Sequence, residues 1–323
     1  MNINVCDSRA EWDKFVVENG GHPLQLWGWG ESKSESDHWQ AYRLLVGKIG
    51  GAQVLIRQLP KPFGRMAYIP RGPVVMNKKD RSKVLEILAK WAKEQGCIEL
   101  KAEPDWTTDD CVKIAGFRSS KNTILVPKTV MLDLSQSEDE LLAKVEKKTR
   151  QYIRKSASEG IIIREITEQG DIKNCLDIYK QTAKRADFGL HSDKYYYDIA
   201  EQLGKNNRIF VAEKGGEVLS FLWLAVTPHI AFELYGGVND RGQELRANYT
   251  LKWETVRQIR SEGVKFYDMN GLLNDGISSF KLGFSGKVET ILVGALDKPL
   301  SPLYGLYEKA LPTGKKIIQK MKK

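Results

Sequence analysis

The chain has 323 residues, of which 41% are hydrophobic, and carries a formal net charge of +9. This length predicts one large domain or two of medium size, and the hydrophobic share excludes a disordered chain. The charge favours an anionic partner such as nucleic acid, a phosphorylated metabolite or an anionic membrane surface. A basic surface that only keeps the protein in solution fits the charge equally well.

The cysteines and the apolar segments indicate where the protein works. Cys6, Cys97, Cys111 and Cys175 form neither a CxxC pair nor a metal-binding spacing with histidine, so we expect reduced thiols, a cytoplasmic protein, and no metal or cofactor. The N-terminal segment lacks a signal-peptide pattern. No apolar run approaches the ~18 residues that span a bilayer, so any membrane contact is expected to be peripheral.

Along the chain, the same order of elements occurs twice. The runs "AYRLLVGKIGGAQVLIRQL" and "RIFVAEKGGEVLSFLWLAV" predict hairpins that turn at Gly50-Gly51 and at Gly215-Gly216. Each hairpin is followed by a strand, "MAYIPRGP" or "AFELYGGV", and then by an amphipathic helix that ends at Gly96 or Gly263. The nearly constant offset between these landmarks indicates an internal repeat.

Each copy closes with a short strand ("CIELKAEPD" or "VKFYDMNG"), a Gly-Phe pair and a last strand ("TILVP" or "TILVG"). This order is that of a GNAT-type acyltransferase domain, so the sequence predicts an α/β (α+β) fold of two tandem GNAT-like domains. "DELLAKVEKKTRQYIRKSASEG" predicts one helix that opens the second copy. The expected domains are residues 1–138 together with a returning C-terminal helix at 301–323, and residues 139–300.

Several motifs together resemble the FemABX family of aminoacyltransferases over essentially the whole chain. They are "LQLWGWGESKS", "KKTRQYIRKSASEG", "LYGG" with "NYTLKWE", "YDMNG" and, most specific, "GISSFKLGFSG". Larger members carry a long helical arm in the second domain. The segment from Ile161 to Asp187 leaves no room for that arm, so the chain is closer to the compact FemX type.

The resemblance implies transfer of an aminoacyl group from aminoacyl-tRNA to an amine of the stem peptide of a peptidoglycan precursor. The implied acceptor carries a diphosphate, linked either to UDP or to a lipid, and the product is an interpeptide bridge. Because the ester is already activated, the amine can attack without a protein nucleophile. The absence of a GxSxG motif agrees with this. The protein would position both substrates, remove a proton and stabilise the oxyanion.

Four residues follow from matching the family motifs. Lys281 is expected to meet the oxyanion or a nearby tRNA phosphate from a glycine-rich turn, with Phe280 limiting its hydration. Lys33 in "WGWGESKS" matches a lysine that contacts the acceptor's diphosphate. Arg185 in "TAKRADFG" is the expected second cation because a guanidinium suits a diphosphate, with neighbouring Lys184 as the alternative.

Three further residues lie at predicted strand ends. Tyr235 in "LYGG" is expected beside the substrate, although a half-buried tyrosine of the sheet fits equally well. Asp105 in "EPDW" matches an acid that is a possible proton acceptor in relatives, while the substrate itself could also carry the proton. Asp268 in "YDMNG" is expected to hydrogen-bond its own turn.

Two basic segments have two interpretations each. Lys147, Lys148, Arg150 and Arg154 share a helix that either binds tRNA phosphates or is simply solvated. The tail "KKIIQKMKK" either contacts anionic lipid at the inner membrane face or packs back on the first domain.

Two other functions remain as alternatives. One is a GNAT enzyme that uses acyl-CoA, which requires a Q/RxxGxG/A-type loop for the pyrophosphate at a helix N-terminus. The loops "RGPVVMNKKDRS" and "NDRGQELRANYT" lack that pattern. The other is a non-catalytic protein that binds tRNA or the precursor, and the presence of both Lys33 and Lys281 argues against it.

Overall fold

The computed structural model describes residues 2–108, 114–166, 169–273 and 275–311. Cys111 and the basic tail predicted to contact lipid lie outside these residues, as does the end of the returning helix after residue 311. The strands, in chain order, are β1 (Ile3–Val5), β2 (Gln40–Val46), β3 (Gly50–Gln58), β4 (Arg65–Pro70), β5 (Val74–Val75), β6 (Cys97–Glu103), β7 (Arg118–Ser120), β8 (Lys128–Thr129), β9 (Met131–Asp133), β10 (Ile162–Glu165), β11 (Asn207–Lys214), β12 (Glu217–Val226), β13 (Ile230–Val238), β14 (Phe266–Asp268), β15 (Thr290–Ile291) and β16 (Ala295–Pro299).

The α-helices lie between these strands and at the end of the described chain. They are α1 (Arg9–Glu18), α2 (Trp27–Asp37), α3 (Arg81–Glu94), α4 (Glu138–Lys144), α5 (Lys147–Ala157), α6 (Gln169–Ala186), α7 (Asp193–Leu203), α8 (Asp240–Glu244), α9 (Ala247–Ser261), α10 (Gly276–Leu282) and α11 (303–311). Among the described residues, no helix is both long and apolar enough to cross a membrane.

Two large mixed sheets repeat one topology. The first has the order β1-β2-β3-β4-β6-β16-β7, and the second has the order β10-β11-β12-β13-β14-β9. In each, an antiparallel hairpin is followed by a strand that pairs in parallel with the strand after a helix: β4 with β6, and β13 with β14. The predicted mixed α/β class and the tandem GNAT-like repeat are confirmed by this arrangement.

The two sheets exchange strands across the domain boundaries expected from the sequence. β9, from the segment 1–138, pairs with β14 in the second sheet. β16, from the segment 139–300, lies between β6 and β7 in the first sheet, where Asp297 pairs with buried Lys101. The predicted last strand of the first copy, residues 123–127, is not a strand; the residues just after it form β8, which pairs with β15.

The first predicted hairpin turn is wrong and the second is right. Gly50 and Gly51 lie inside β3, where a Cβ on Gly51 would stand 2.5 Å from the Leu44 carbonyl oxygen, so close strand packing requires glycine there. Residues 47–49 form that turn. Gly215 and Gly216 do form the second turn, with φ of 62° and 80°. The predicted helix ends at Gly96 and Gly263 are confirmed as well.

The single helix predicted to open the second copy is two helices, α4 and α5. The chain becomes extended at Val145, which is buried, and the Glu146 N–H donates to the Gly283 carbonyl at 2.9 Å. A side chain inserted into the core and a bond to a distant segment therefore outweigh the helix propensity of the run.

The halves contact each other through α2 and α7 and through a few hydrogen bonds. The Arg9 guanidinium donates to the Gln202 carbonyl at 2.6 Å, and the Thr227 hydroxyl donates to the Gly21 carbonyl at 3.4 Å. Apolar side chains fill both faces of the second sheet. A cavity beside β13 opens in this second half.

Candidate active site

A cavity of about 980 Å³ opens beside β13. Its walls come from β12, β13, α6, α9 and α10 and from the turn that follows β14. The parallel pairing of β13 with β14 ends at Phe232 and Asp268, so the two strands separate from Glu233 onward. Opposite β12 the register shifts, and Leu234 is the extra residue of a bulge. Tyr235, expected beside the substrate, follows two residues after Glu233 and lines the cavity.

Lys281 lines the cavity, but it lies on a helix and not on a glycine-rich turn. Asp275 begins that helix, α10, by accepting from the Ser278 N–H at 2.7 Å. The Lys281 ammonium donates to the carbonyls of Asn270 at 2.8 Å and Gly271 at 3.1 Å. Burial lowers the pKa of this ammonium. The side chain is therefore held at one point of the cavity wall.

The turn that receives Lys281 is itself fixed. Asn270 has a φ of 57°, its N–H donates to Asp268 at 2.7 Å, and its side-chain amide donates to the Glu233 carbonyl at 3.0 Å. The expectation that Asp268 hydrogen-bonds its own turn is confirmed. Thr129, the last residue of β8, also donates to Asp268. The turn whose carbonyls hold Lys281 is thus hydrogen-bonded to both β13 and β14.

Phe280 lines the cavity and packs in an aromatic group beneath it. Its ring lies 4.9 Å from that of Tyr249 and 5.3 Å from that of Phe284, centroid to centroid. The Lys252 ammonium stands 5.4 Å from the Phe280 ring centroid. Phe280 therefore presents apolar surface next to two lysines.

The sequence analysis missed a buried polar group in the same wall. Glu233 accepts hydrogen bonds from the Lys252 ammonium and, at 2.8 Å, from the Tyr267 hydroxyl. Burial lowers the pKa of Lys252, and it raises that of Tyr267 well above its usual range. The signal was present, because Lys252 lies on the apolar side of α9 with Val256 and Ile259. A lysine at such a position needs a buried partner.

Lys33 lies outside the cavity, in a box of aromatic rings. Its ammonium is 4.5 Å from the Trp29 ring centroid and 4.3 Å from that of Tyr195, bonds the Tyr195 hydroxyl, and meets Asp37 at 3.3 Å. The Tyr195 hydroxyl is 3.5 Å from that of Tyr235, which does line the cavity. Lys33 therefore connects to the cavity through two tyrosines.

Tyr235 is half-buried and contacts the rings of Tyr179, Tyr196 and Trp223, and Arg185 is engaged elsewhere. Burial raises the pKa of Tyr235 well above its usual range. Arg185 lines the cavity but donates to the Val238 carbonyl at 2.8 Å and pairs with Asp240 at 3.2 Å. The two expected diphosphate cations, Lys33 and Arg185, thus belong to different hydrogen-bond networks.

Asp105 is not among the residues that line the cavity. It follows β6 of the first sheet, and burial raises its pKa to about 6 against the opposing effect of Arg71. Asp268 is among the charges that act on it. Asp105 is thus close enough to Asp268 for their charges to interact, and no hydrogen bond or ion pair joins its carboxyl to Lys281 in the described chain.

The basic helix is α5, and the four residues predicted to bind tRNA differ in their exposure and hydrogen bonds. Lys147, Lys148 and Arg154 are exposed. Arg150 instead donates to the carbonyls of Val145 and, at 3.2 Å, Ala143. Arg150 therefore satisfies the C-terminal carbonyls of α4, while the other three cations remain exposed to solvent.

A GNAT-like repeat whose second half holds a cavity lined by Lys252 and Lys281 defines the class of fold and site. The family model described as "FemAB family" matches residues 8–128, 111–216 and 217–311, so the chain belongs to the FemAB family. A solved structure of FemX superimposes with a TM-score of 0.83 over 95% of this chain and 100% of that one, at 22% identity. L-PGS from Bacillus licheniformis aligns with a TM-score of 0.59 at 12% identity, over 94% of this chain and 96% of that one.

Curated relatives share part of their length with this chain. "Lipid II:glycine glycyltransferase" of Staphylococcus aureus (strain MRSA252) is 29% identical over 288 residues, covering 83% of this chain and 64% of the relative. The protein of the same name from strain USA300 is 29% identical over 216 residues, covering 61% of this chain and 51% of the relative. The chain thus spans less than two thirds of the curated relatives it matches.

Proposed function

We propose that the protein transfers an aminoacyl group from aminoacyl-tRNA to an amine of the stem peptide of a peptidoglycan precursor. One observation supports this most directly: a half-buried ammonium, Lys281, is fixed on two backbone carbonyls in a cavity of about 980 Å³. The family and the name of the S. aureus relatives, which act on lipid II, support the same reaction class.

The chemistry of the cavity fits direct attack by the amine. Its lining residues in the described part of the chain include no cysteine and no histidine, whereas a covalent acyl-enzyme requires an activated nucleophile. Two ammonium groups, those of Lys252 and Lys281, line the same wall. A positive charge held in a partly buried place stabilises the oxyanion of the tetrahedral intermediate more than it stabilises the neutral ester.

For the acceptor, we assign the diphosphate to the side of the cavity at Tyr235. Lys33 lies behind Tyr195 there, and the two tyrosine hydroxyls can donate to phosphate oxygens. Arg185 lies at the rim of the same cavity, 36% exposed, and can turn to a phosphate by leaving Asp240. Arg185 then contacts the diphosphate directly, whereas Lys33 acts on it through Tyr195 and Tyr235.

For the donor, we assign the tRNA to the exposed face of α5. Lys147, Lys148 and Arg154 point three cations into solvent on a helix that packs against α9, one wall of the cavity. Phosphate contacts of this kind bind RNA without reading its sequence.

The mouth of the cavity supports an acceptor at a membrane surface. Phe188, Leu273 and Ile277 line the cavity and are 36%, 68% and 38% exposed. Apolar side chains at a rim bind lipid interfaces by burying their surface in the headgroup region. We therefore assign the inner membrane face as the place of work when the acceptor is lipid-linked.

The test is a transfer assay with a mixed aminoacyl-tRNA pool and both precursor forms, read by mass spectrometry. The expected result is a precursor heavier by one or more amino-acid residues, abolished by prior ribonuclease treatment. Turnover with acyl-CoA that is insensitive to ribonuclease would contradict the proposal. Binding of both substrates without turnover would identify a non-catalytic protein.

A further inference from the structure

Glu233 has two features that a purely structural carboxylate would not need: one of its oxygens makes both of its hydrogen bonds, and the residue lines the cavity. Both donors that reach it among the described residues, Lys252 and Tyr267, bind the same oxygen, Oε1. Its side chain is only 7% exposed, yet Glu233 lines the cavity. Oε2 has no hydrogen-bond partner in the described chain, nor is it among the fully enclosed polar atoms that lack one. Oε2 is therefore open to the cavity.

We propose that Glu233 is the catalytic base that takes the proton from the attacking ammonium, an inference that rests on the proposed function. An acceptor amine enters largely as an ammonium, whose nitrogen has no lone pair to attack with. A carboxylate oxygen at the cavity wall both binds that ammonium and accepts its proton. Lys252 and Tyr267 bind the other oxygen, Oε1, and so hold the carboxylate in one orientation.

Protons and electron pairs balance in this step. One N–H proton passes to Glu233 Oε2, and the freed nitrogen pair forms the C–N bond with the ester carbonyl carbon. The C=O π pair moves to the oxygen, which faces the Lys281 ammonium. The carbonyl re-forms as the bond to the tRNA ribose oxygen breaks, and that oxygen takes a second nitrogen proton. Glu233 then releases its proton to water.

The other carboxylates that line the cavity are less suited. In the described chain these are Asp187 and Asp275. Asp275 caps α10 by accepting from the N–H and the hydroxyl of Ser278, each at 2.7 Å. Asp187 lies exposed just beyond the end of α6. Glu233 is the most buried of the three; it bonds Lys252, and its charge acts on Lys281.

The groups that act on Glu233 come from three neighbouring elements. Lys252 approaches from α9, Lys281 from α10, and Tyr267 and Asp268 from β14. Glutamine has the same shape as glutamate and leaves these groups of the three elements unchanged in kind. A change in pH dependence after that exchange therefore reports on the carboxylate itself.

The experiment compares Glu233→Gln with wild type across pH 6.5 to 8.5 in the transfer assay. We expect kcat to fall about 10²–10⁴-fold near neutral pH. The loss shrinks by up to about tenfold per pH unit as more acceptor amine arrives unprotonated. Glu213→Gln is the matched control, because Glu213 lies in the same sheet and pairs with Arg164 outside the cavity. That variant should keep the wild-type rate.

A second variant separates catalysis from folding. Glu233→Gln leaves Lys252, 1% exposed, without its charged partner, and an unpaired buried charge can by itself destabilise the fold. Glu233→Gln combined with Lys252→Met removes both charges and should show the same pH-dependent loss. A loss that stays constant with pH, or a double variant at wild-type rate, overturns the assignment. Wild type without any transfer activity instead refutes the proposed function.

Discussion

Lys281 has two acceptors that ordinary surface lysines lack, the carbonyls of Asn270 and Gly271. They fix the position of the ammonium, while burial disfavours its charge. The charged form is therefore stabilised most when a negative oxygen develops beside it. The motif match could identify this residue, but not its helix. A glycine two residues later predicted a turn, whereas Asp275, which caps α10, starts a helix that continues to Leu282.

Lys281→Met should lower kcat about 10²–10³-fold and leave the KM of both substrates nearly unchanged, because the interaction forms in the transition state. Lys281→Arg should recover little, since a planar fork does not fit two carbonyls aligned for an ammonium. Steady-state kinetics with radiolabelled aminoacyl-tRNA measure both. Lys287→Met, at a lysine with a 74% exposed side chain, is the control. A normal kcat in Lys281→Met would show that the residue only holds its turn.

Lys33→Met should raise the KM for the acceptor by up to about 10- to 150-fold, because it removes a charged hydrogen bond, worth roughly 1.5–3 kcal/mol, that holds the Tyr195 hydroxyl on the acceptor side. Arg185→Met should raise it less, because Arg185 must first leave Val238 and Asp240. Titration of the UDP-linked precursor checks both. Equal binding by wild type and both variants would place the diphosphate elsewhere.

At the scale of elements, the sequence predicted the order of strands and helices along the chain better than the place of each strand in the two sheets. Hairpin, strand, helix and strand are found twice in the predicted order, because alternating and helical apolar patterns are local. The exchange of β9 and β16 was not predictable, since strands of three and five residues carry too little pattern to choose between two sheets. The break between α4 and α5 depends on Gly283, more than a hundred residues away.

The helix α5 offers a test of tRNA binding. Changing Lys147, Lys148 and Arg154 to glutamine should weaken tRNA binding and reduce the slope of log affinity against log salt, by up to about 0.7 for each single-stranded phosphate that the variant no longer neutralises. Filter binding over a series of salt concentrations measures it. A triple change of the exposed lysines Lys14, Lys48 and Lys83 is the control. An unchanged salt slope would mean that α5 is a solvated face.

The stability of the fold should depend on pH through Glu99, a buried carboxyl group in the first sheet. Glu99 on β6 is 1% exposed, with Oε1 unpartnered, and burial raises its pKa from 4.5 to about 7 despite Lys101. The folded state therefore holds a proton that the unfolded state loses above pH 4.5. Stability should fall between pH 4.5 and 7, by roughly 3 kcal/mol at most.

Glu99→Gln should remove this slope and raise the thermal midpoint at pH 8, where the wild-type carboxylate is charged. Thermal unfolding from pH 5 to 8 measures the effect, with exposed Glu86→Gln on α3 as the control. Asp297, Glu308 and Arg57 also act on Glu99 and are the same in both variants. A wild-type protein whose stability does not change over this range would show that Glu99 has a proton-independent partner.

At the scale of the whole molecule, the cavity joins groups that stand far apart in the sequence. Lys33 of the first half reaches Tyr235 of the second through Tyr195, so the acceptor side of the site requires both halves. The repeat itself could be predicted from the sequence. The contact between α2 and α7 could not, because the residues around Lys33 show no regular apolar pattern that would indicate a helix or its buried face.

The apolar rim leads to a prediction about the form of the acceptor. Leu273 and Ile277 flank the mouth of the cavity on the α10 side, and Phe188 lies beyond the end of α6. Changing Leu273 and Ile277 together to glutamine removes apolar surface that would be buried at a lipid interface, worth about 25 cal/mol per Å². Transfer to a lipid-linked acceptor in vesicles should fall severalfold, while transfer to the UDP-linked acceptor in solution should stay within twofold. Val288 and Ile291, also exposed but not part of the cavity lining, provide the matched pair of control changes. Equal losses with both acceptors would indicate that the rim shapes the cavity, and no loss with either would show that it contacts neither substrate nor membrane.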